Sequence, residues 1–262
     1  MDLRDDQIER YARHIILKEV GGSGQVKLLE SAVLIVGAGG LGTPLATYLA
    51  AAGVGTIGIV DSDTVDRSNL QRQILFSEDD IGRPKVEVAK QALAKINPDV
   101  RVKAFKMRLD ASNAEEIFNG FDLIADGCDN FETRLVVNDA AIAARKPLVS
   151  AALAPFEGQL STFKPHQTAP DGKPWPCYRC LVASAPEVAE RGCSEQGILG
   201  AVAGVLGTMQ ALEVLKELLS IGESLAGQLL IVDGLTFKVR SILLPADPAC
   251  PGCSHLHADS DA

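Results

Sequence analysis

The sequence predicts an α/β fold, with a mainly parallel sheet covered by helices on both faces and an antiparallel C-terminal extension. Three observations support this. Short apolar runs alternate with helical patterns between residues 31 and 150, which is typical of parallel strands joined by helical crossovers. The alternation then ends, and Glu157 to Phe163 has the pattern of an antiparallel strand. Two C-x-x-C pairs, finally, flank the C-terminal third of the chain.

The segment from Ala32 to Asp61 organises the rest of the chain. The run from Ala32 to Val36 predicts a buried strand, Leu41 to Ala52 a helix, and Thr56 to Val60 a second strand. Glycines in the spacing G-x-G-x-x-G join the first strand to the helix: Gly37, Gly39 and Gly42. Such a turn brings the backbone close to a phosphate at a helix N-terminus, and Asp61, about twenty residues on, can bind a ribose. The spacing predicts a nucleotide site in a Rossmann-like unit.

This segment has two simpler interpretations. A glycine-rich turn can connect a strand to a helix without binding a ligand, and Asp61 can cap a loop. The uncharged stretch from Ser31 to Val60 could suggest a membrane span, but its glycines and Pro44 break it into apolar runs too short to cross as helices.

Length and composition indicate the domain organisation and make some classes of function unfavoured. The 262 residues predict a single domain (1–262), with an N-terminal helical arm (1–30), a nucleotide-binding core (31–150) and a C-terminal part (151–262). The net charge of −9 makes nucleic-acid binding an unfavoured expectation. The charged N-terminus lacks the apolar core of a signal peptide, so we expect a cytoplasmic protein that does not enter membranes.

The N-terminal arm is predicted to contain one amphipathic helix from Asp6 to Leu17, followed by a glycine-rich break from Gly21 to Gly24. Arg13 projects from that helix. On the residues alone, it is an ordinary solvated arginine.

The remainder of the core supplies polar groups at strand ends. The loop from Asp63 to Gln73 is unusually polar, and Lys85 begins a helix from Pro84 to Ile96, where a cation is unfavourable unless an anion is nearby. The strand from Phe121 to Asp126 leads into a turn from Gly127 to Asn130. Because ligands of parallel sheets bind at the carboxyl ends of strands, we expect the turn from Gly37 to Gly42, Asp61 and the turn from Gly127 to Asn130 to converge on one crevice.

Other elements complete the prediction. They are a strand at Val100 to Phe105, helices at Asp110 to Phe118 and Phe131 to Ala144, a strand at Pro147 to Ser150, a crossover at Leu181 to Gly197, a buried helix at Ile198 to Leu219, and strands at Leu229 to Asp233 and Thr236 to Leu244.

The six cysteines indicate metal binding or chemistry rather than disulfides. Four of them form the C-x-x-C pairs, Cys177 with Cys180 and Cys250 with Cys253, which predict a closed, structural zinc site. Redox dithiols and ordinary core cysteines are the alternatives. Cys128 is interpreted as a small buried residue. Cys193, in the crossover, is either a reactive thiol or merely tolerated.

Several motifs together resemble the ThiF/MoeB/HesA adenylyltransferases, bacterial relatives of ubiquitin-activating enzymes: YARHIIL, VGAGGLG, DSDTVDRSNLQRQ, GRPKVEVA, the CDN turn and the paired C-x-x-C motifs. The resemblance covers essentially the whole chain. It implies a homodimer that binds ATP and Mg²⁺ and adenylates the C-terminal glycine carboxylate of a ubiquitin-like sulfur carrier ending in Gly-Gly. It also makes a sulfurtransferase a candidate partner, and places carrier-binding strands in residues 151–262.

The resemblance also implies site roles. Gly39, Gly40 and Gly42 cradle the phosphates, and Asp61 holds the ribose. The rest of the implied nucleotide-binding set is Gly37, Asp63, Asn69, Arg72, Gln73, Lys85, Asp129 and Asn130.

Four charged residues are implied to carry the catalysis. Asp129 coordinates magnesium, Arg72 and Lys85 hold the triphosphate, and Arg13 reaches the γ-phosphate in the neighbouring subunit. The family more often has threonine at the position of Cys128. Cys193 aligns with a cysteine that links covalently to the carrier in thiamine-type members, and we expect adenylation not to require it.

The resemblance favours the molybdopterin-synthase carrier as substrate, with the thiamine-pathway carrier and a tRNA-modifying dehydratase as alternatives. A nicotinamide dehydrogenase would share the glycine turn but has no use for Arg13, Arg72 and Lys85. A non-catalytic module that binds a ubiquitin-like partner and zinc would not need Asp61 and Asp129.

Overall fold

The computed structural model of the protein describes residues 2–185 and 197–256. Within them, the strands are β1 (Ala32–Val36), β2 (Thr56–Val60), β3 (Arg101–Phe105), β4 (Leu123–Asp126), β5 (Leu148–Leu153), β6 (Glu157–Phe163), β7 (Gln228–Asp233) and β8 (Lys238–Leu243). The helices are α1 (Asp5–Ile15), α2 (Gly21–Glu30), α3 (Gly42–Ala52), α4 (Lys85–Ile96), α5 (Ala114–Asn119), α6 (Phe131–Ala143), α7 (Tyr178–Leu181) and α8 (Gly200–Leu219).

All these strands join one sheet in the order β3-β2-β1-β4-β5-β6-β7-β8. The pairs from β3 to β5 are parallel, and those from β5 to β8 are antiparallel. The predicted fold class, a mainly parallel sheet with an antiparallel extension, is confirmed. The chain leaves β1 toward β2 and later returns to β4 on the other side, so the strand order reverses between β1 and β4. Such a reversal opens a crevice at the carboxyl ends of the strands.

Apolar packing covers both faces of the sheet. The central strand β1 contributes Val33 and Ile35 to one face and Leu34 to the other, each fully buried. The first face packs mainly against α3, α4 and α8. The second packs mainly against α5 and α6. This arrangement explains why β1 is a continuous apolar run rather than an alternating one.

Helix α8 packs against α3, as expected for the buried helix predicted from Ile198 to Leu219. A Cβ atom at Gly207 would lie 2.5 Å from the Pro44 ring, so glycine permits the close approach of the two helices. None of the described helices has both the length and the apolar character needed to span a bilayer.

The predicted break at Gly21 to Gly24 is wrong, because these residues form the first turn of α2. Tertiary packing overrides the low helix propensity of glycine here. Leu28 and Gln25 are buried, and Gly24 lies in a space bounded by Val20 and Leu219 that leaves little room for a side chain.

Two other predicted bounds are also corrected. The helix expected from Asp110 begins only at Ala114, because the Asp110 carboxylate accepts hydrogen bonds from the amide and hydroxyl of Ser112 and closes a separate turn. The strand expected to end at Ser150 continues to Leu153, paired with β6. Most of the predicted crossover, including Cys193, lies outside the described residues.

Candidate active site

A cleft of about 700 Å³ lies at the carboxyl ends of β1, β2 and β4. Nearly all of the nucleotide-site residues expected from the sequence line it: Gly37, Gly39, Gly40, Asp61, Asp63, Asn69, Arg72, Gln73, Lys85, Asp129 and Asn130. The volume falls in the range typical of small-molecule sites. Of the expected residues, Gly42 and Arg13 lie outside the lining of this cleft.

The glycine turn exposes its backbone to the cleft. Gly37 has a φ of 94°, a backbone conformation that side-chain-bearing residues rarely adopt. Within residues 2–185 and 197–256, the amides of Gly39 and Gly40 donate to no protein group. Gly42 has a different role, because a Cβ atom there would lie 1.9 Å from the carbonyl oxygen of Gly37. Glycine at position 42 therefore allows the turn to close, and Gly39 and Gly40 leave free N–H groups for an anion.

The carboxylate of Asp61 organises the turn from the end of β2. Its Oδ2 accepts a hydrogen bond of 2.8 Å from the amide of Ala38, and its Oδ1 accepts one of 2.8 Å from the amide of Asp63. Each carboxylate oxygen can accept a second hydrogen bond. Asp61 thus holds the glycine turn in place and still has capacity for a ligand hydroxyl.

Lys85 has the anionic neighbour that its position at a helix N-terminus indicated. Its Nζ donates to Oδ2 of Asp63 at 2.9 Å, and its side chain is only 6 % exposed. The amide of Lys85 also donates to the carbonyl of Asp63. The cleft therefore contains a nearly buried ammonium whose position is fixed by its partner.

Arg72 and Gln73 follow the polar loop and border the glycine turn. Nη1 of Arg72 donates to the carbonyl of Ser68 at 3.1 Å, and the alkyl part of its side chain lies beside Gly40. Gln73 is buried, and its Oε1 has no hydrogen-bond partner in the described part of the chain. An unpaired buried amide oxygen in a cleft is a group that a ligand donor could satisfy.

Asp129 and Asn130 occupy the turn between β4 and α6. Both are exposed, and Oδ1 of Asn130 accepts a hydrogen bond of 2.9 Å from the amide of Thr133, which caps the first turn of α6. Asp129 is thus held at a helix N-terminus with its carboxylate facing the cleft. An exposed carboxylate beside a phosphate site is the kind of ligand that Mg²⁺ prefers.

Arg13 lies on α1 and is exposed. Its side chain forms no ion pair or hydrogen bond within the described ranges. The structure therefore does not bring Arg13 to the cleft of its own chain.

A largely buried polar network that forms part of the cleft lining was missed by the sequence reasoning. The guanidinium of Arg134 donates to the carbonyl of Cys128 and, at 3.5 Å, to the hydroxyl of Ser150. It lies 3.7 Å from the carboxylate of Asp126, which accepts from the Cys128 amide and the Ser150 hydroxyl. Arg134 and Tyr178 also hydrogen-bond through their side chains. The only sequence signal was a charged residue on the buried face of an amphipathic helix.

This network shifts two pKa values. Burial opposes the charge of Arg134, but the nearby Asp126 carboxylate outweighs it, and the pKa of the guanidinium lies above its usual range. Burial, reinforced by Asp126, raises the pKa of the Cys128 thiol well above its usual value. Arg134 therefore stays charged, and Cys128 stays protonated.

The four cysteines of the C-x-x-C pairs meet beside α6. Their sulfur atoms all lie within 4.8 Å of one another, with Cys177 to Cys250 at 3.5 Å and Cys180 to Cys253 at 3.6 Å. Tetrahedral coordination with Zn–S bonds of about 2.3 Å places sulfurs about 3.8 Å apart, whereas a disulfide requires about 2 Å. The cluster therefore fits a tetrahedral metal ion, and it is separate from the cleft.

Hydrogen bonds within the cluster favour its partial ionisation. The pKa of Cys180 is lowered, because the thiols of Cys177 and Cys253 and the amide of Asp247 direct hydrogen bonds to its sulfur. The same coupling raises the pKa of Cys177 to about 12. The amide of Gly252 donates to the sulfur of Cys250. Such amide donors are suited to thiolate ligands.

The chain matches a known protein family over most of its length. The model of the ThiF family matches residues 11–252. The protein belongs to the ThiF family.

Curated relatives of this ThiF-family protein cover nearly all of its length. The chain is 45% identical to a sulfur carrier protein adenylyltransferase of Thermus thermophilus, over 95% of the chain and 91% of the relative. It is 44% identical to the SAMP-activating enzyme E1 of Haloferax volcanii, over 99% of the chain and 94% of the relative. It is also 44% identical to the probable adenylyltransferase/sulfurtransferase MoeZ of Mycobacterium tuberculosis, over 97% of the chain but 64% of MoeZ.

Solved structures share the fold. Escherichia coli MccB, crystallised with MccA-N7isoASN, superposes with a TM-score of 0.81 at 25% identity, covering 94% of this chain and 74% of MccB. MccB has also been solved with ATP, with a TM-score of 0.77 at 26% identity, covering 93% of this chain and 73% of MccB.

Proposed function

We propose that this ThiF-family protein uses ATP and Mg²⁺ to adenylate the C-terminal glycine carboxylate of a ubiquitin-like sulfur carrier, releasing pyrophosphate. One observation carries the proposal. A single cleft combines unpaired glycine amides, two cations and an exposed carboxylate, in a chain closely related over its whole length to a sulfur carrier protein adenylyltransferase.

The reaction needs neither a protein nucleophile nor a general base. A glycine carboxylate is ionised near neutral pH and attacks the α-phosphorus itself. A bond forms between a carboxylate oxygen and that phosphorus, and the bond to the bridging oxygen breaks. Pyrophosphate leaves with the electron pair, so the products are the acyl-adenylate and pyrophosphate. The protein therefore has to align the two substrates and stabilise the charge that develops on the leaving group.

The chain's own residues meet these requirements. The amides of Gly39 and Gly40, with the N-terminus of α3, bind phosphate oxygens. Lys85 and Arg72 oppose the charge on the departing pyrophosphate, with Asn69 as an additional donor. Asp61 orients the ribose, and the Oε1 of Gln73 accepts a hydrogen bond from the nucleotide.

Asp129 is the residue proposed to hold Mg²⁺, with Asn130 beside it. When bound, the ion neutralises phosphate charge and orients the triphosphate. The exposed carboxylate facing the glycine turn across the cleft fits that role.

The carrier is proposed to enter from the antiparallel side of the cleft, which is lined by small residues such as Ala152 and Gly158. A flexible Gly-Gly tail is narrow enough for such a wall. Next to it, the β7–β8 hairpin exposes Phe237 at 89 % and Leu243 at 79 %. Exposed apolar groups of this size are typical of protein-binding surfaces.

A homodimer is proposed to complete the site. Helix α1 exposes Ile8 and Ile16 beside Arg13, and α3 and α8 expose further apolar side chains, Tyr48, Val205 and Leu212. A partner subunit covering α1 would bury the apolar residues and give Arg13 access to a neighbouring triphosphate.

The four-cysteine cluster is proposed to bind a structural Zn²⁺ through Cys177, Cys180, Cys250 and Cys253. Four thiolates leave no open coordination position, so the ion would join α7 to the C-terminal segment and take no part in the reaction.

The carrier of molybdopterin synthesis is the favoured substrate, because relatives named MoeZ and MOCS3 cover nearly the whole chain. The thiamine-pathway carrier is the second candidate. The net charge of −9 argues against a tRNA substrate.

Exchange of labelled pyrophosphate into ATP tests the proposal. We expect exchange with a carrier that ends in Gly-Gly and none with the same carrier truncated by two residues. Exchange without a carrier, or nucleotide binding with no exchange for any carrier, would contradict it. Arg72→Ala is expected to abolish exchange while leaving the circular dichroism spectrum unchanged.

A further inference from the structure

Helix α6 connects the candidate magnesium site to the four-cysteine cluster. Its first turn is capped by Asn130, directly after Asp129. Near its other end, Ile142 belongs to the same buried cluster as three of the cysteines: Cys177, Cys250 and Cys253. A helix of this length spans about 20 Å. One rigid element therefore contacts both sites.

The face of α6 that contacts the cysteine segment is a regular one. Arg134, Asn138 and Ile142 follow each other at intervals of four residues, which places them in one row along the helix. Oδ1 of Asn138 accepts a buried hydrogen bond of 2.8 Å from the amide of Tyr178. The Tyr178 side chain hydrogen-bonds to Arg134. Side chains of this row therefore hydrogen-bond to both the backbone and the side chain of Tyr178, the residue that follows Cys177.

A second contact fixes the same segment from outside this row. Arg179 donates two hydrogen bonds to the carboxylate of Asp139, at 2.7 and 2.6 Å. Paired Arg–carboxylate hydrogen bonds define both distance and orientation. Three side chains of α6, those of Arg134, Asn138 and Asp139, therefore hold the segment from Cys177 to Cys180.

Arg134 carries this attachment to the cleft. It donates to the carbonyl of Cys128, the residue before Asp129, and it is 6 % exposed. It also neutralises Asp126, which is 1 % exposed. A buried charge with such partners has few alternative positions. The Arg134 guanidinium is thus one of the groups that hold the Asp129 turn, together with the Asp126 carboxylate that accepts from the Cys128 amide.

We propose that Tyr178 and Arg134 are positioning residues that couple the order of the four-cysteine cluster to the Asp129 turn. Arg134 donates a hydrogen bond to the turn, and Tyr178 hydrogen-bonds to Arg134. Tyr178 is in turn positioned by Cys177 of the cluster, its neighbour in the chain. The inference rests on the proposed function only in assigning magnesium to Asp129. Both side chains also line the cleft, so the deciding measurement is backbone exchange in the protein without nucleotide, to which contact with a ligand cannot contribute.

Hydrogen–deuterium exchange on the full-length protein tests the coupling directly. Tyr178→Phe removes one hydroxyl and keeps the ring, which packs edge-on against Phe163 at 5.7 Å. We expect the backbone amides of residues 127–130 to exchange about tenfold faster, the effect of losing one buried hydrogen bond. The concentration of Mg²⁺ that half-saturates ATP binding should rise severalfold in calorimetric titrations.

Tyr11→Phe is the matched control. Tyr11 is 2 % exposed, and its hydroxyl accepts a hydrogen bond of 2.8 Å from Asn97. This variant loses a comparable buried hydrogen bond away from the cleft. If Tyr178→Phe acted only by lowering the global stability of the protein, both variants would speed exchange at residues 127–130 equally. That result would overturn the proposal.

A cycle with Cys250→Ala tests whether the cluster acts through Tyr178. If it does, the two substitutions together should speed exchange at residues 127–130 little more than either alone. Additive effects would contradict the coupling. If Cys250→Ala does not fold, the comparison of Tyr178→Phe with Tyr11→Phe decides the matter. Fast exchange in Tyr178→Phe without any pyrophosphate exchange in the native protein would leave the coupling intact and contradict the proposed function instead.

Discussion

The two walls of the cleft differ in the direction of their strands and in the groups that they present to a ligand. On the parallel side, each strand ends at the cleft, and the loops that follow β1, β2 and β4 supply unpaired amides, carboxylates and a buried ammonium. On the antiparallel side, β6 lines the cleft with small residues beside Glu157 and Gln159, and the hairpin of β7 and β8 exposes large apolar side chains.

The difference follows from strand geometry. Parallel strands place all their carboxyl ends at one edge, so charged loops accumulate there. Antiparallel strands alternate in direction, and one face can remain open to solvent or to a partner. The first arrangement suits a phosphate-bearing substrate, and the second suits a protein. Variants on either wall should therefore affect different kinetic constants.

The largest effect is expected on the parallel wall. Asp129→Asn keeps the shape of the side chain but removes the charge proposed to hold magnesium, so kcat for pyrophosphate exchange should fall about a thousandfold. Glu132→Gln, which changes an exposed carboxylate in the first turn of α6, is the control and should retain activity. A normal kcat for Asp129→Asn would mean that the charged wall does not carry the chemistry.

The next largest effect is expected on thermal stability, at the four-cysteine cluster beside α6. Cys250→Ala removes a fully buried sulfur from the four-cysteine cluster. Thermal unfolding should occur about 10 °C lower or more, because a structural metal site contributes several kcal/mol to folding. Cys128→Ala, which removes a buried thiol outside the cluster, should lower Tm by only about 3 °C. Equal shifts would argue against a bound metal.

A moderate effect is expected from the hairpin. Phe237→Ser removes an apolar ring proposed to contact the carrier, so KM for the carrier should rise about tenfold while KM for ATP stays constant. Met107→Ser, an exposed apolar residue near the other end of the sheet, is the control. A change in KM for ATP would show that the two walls are not separable.

The smallest effect is expected at Cys128, which borders Asp129. Its thiol pKa is raised by burial, so the thiolate is scarce at pH 7.5 and iodoacetamide should leave it unmodified in the folded protein. Mass spectrometry of the folded and the urea-unfolded protein measures this. Modification in the folded state would mean that the turn opens to solvent and releases the thiol from its buried site.

Local patterns were sufficient for the framework of the fold. Strand β2 has the bounds predicted from Thr56 to Val60, because an apolar run between a glycine and an acidic residue leaves little choice. Helix α2 was missed because its stability comes from burying Leu28 and Gln25, which glycine-rich local sequence cannot indicate.

In the candidate site too, residues at strand ends could be predicted from the sequence, whereas a residue positioned by tertiary contacts could not. Gly39, Asp61 and Asp129 were expected in one crevice because all three follow the carboxyl ends of strands, and the structure brings them to one cleft. Arg134 was not anticipated, since its partners Asp126 and Ser150 belong to different strands and only the tertiary fold brings them together.

The hydrogen bond from the Ala38 amide to Asp61 has an energetic consequence for the glycine turn. An unrestrained loop loses about 1–2 kcal/mol of backbone entropy per residue when a ligand orders it. Here, that loss is incurred when the protein folds, because the Asp61 carboxylate already holds the turn. Affinity gained in this way comes from preorganisation. Nucleotide association should therefore approach the rate of diffusional encounter, with no slow closure of this loop.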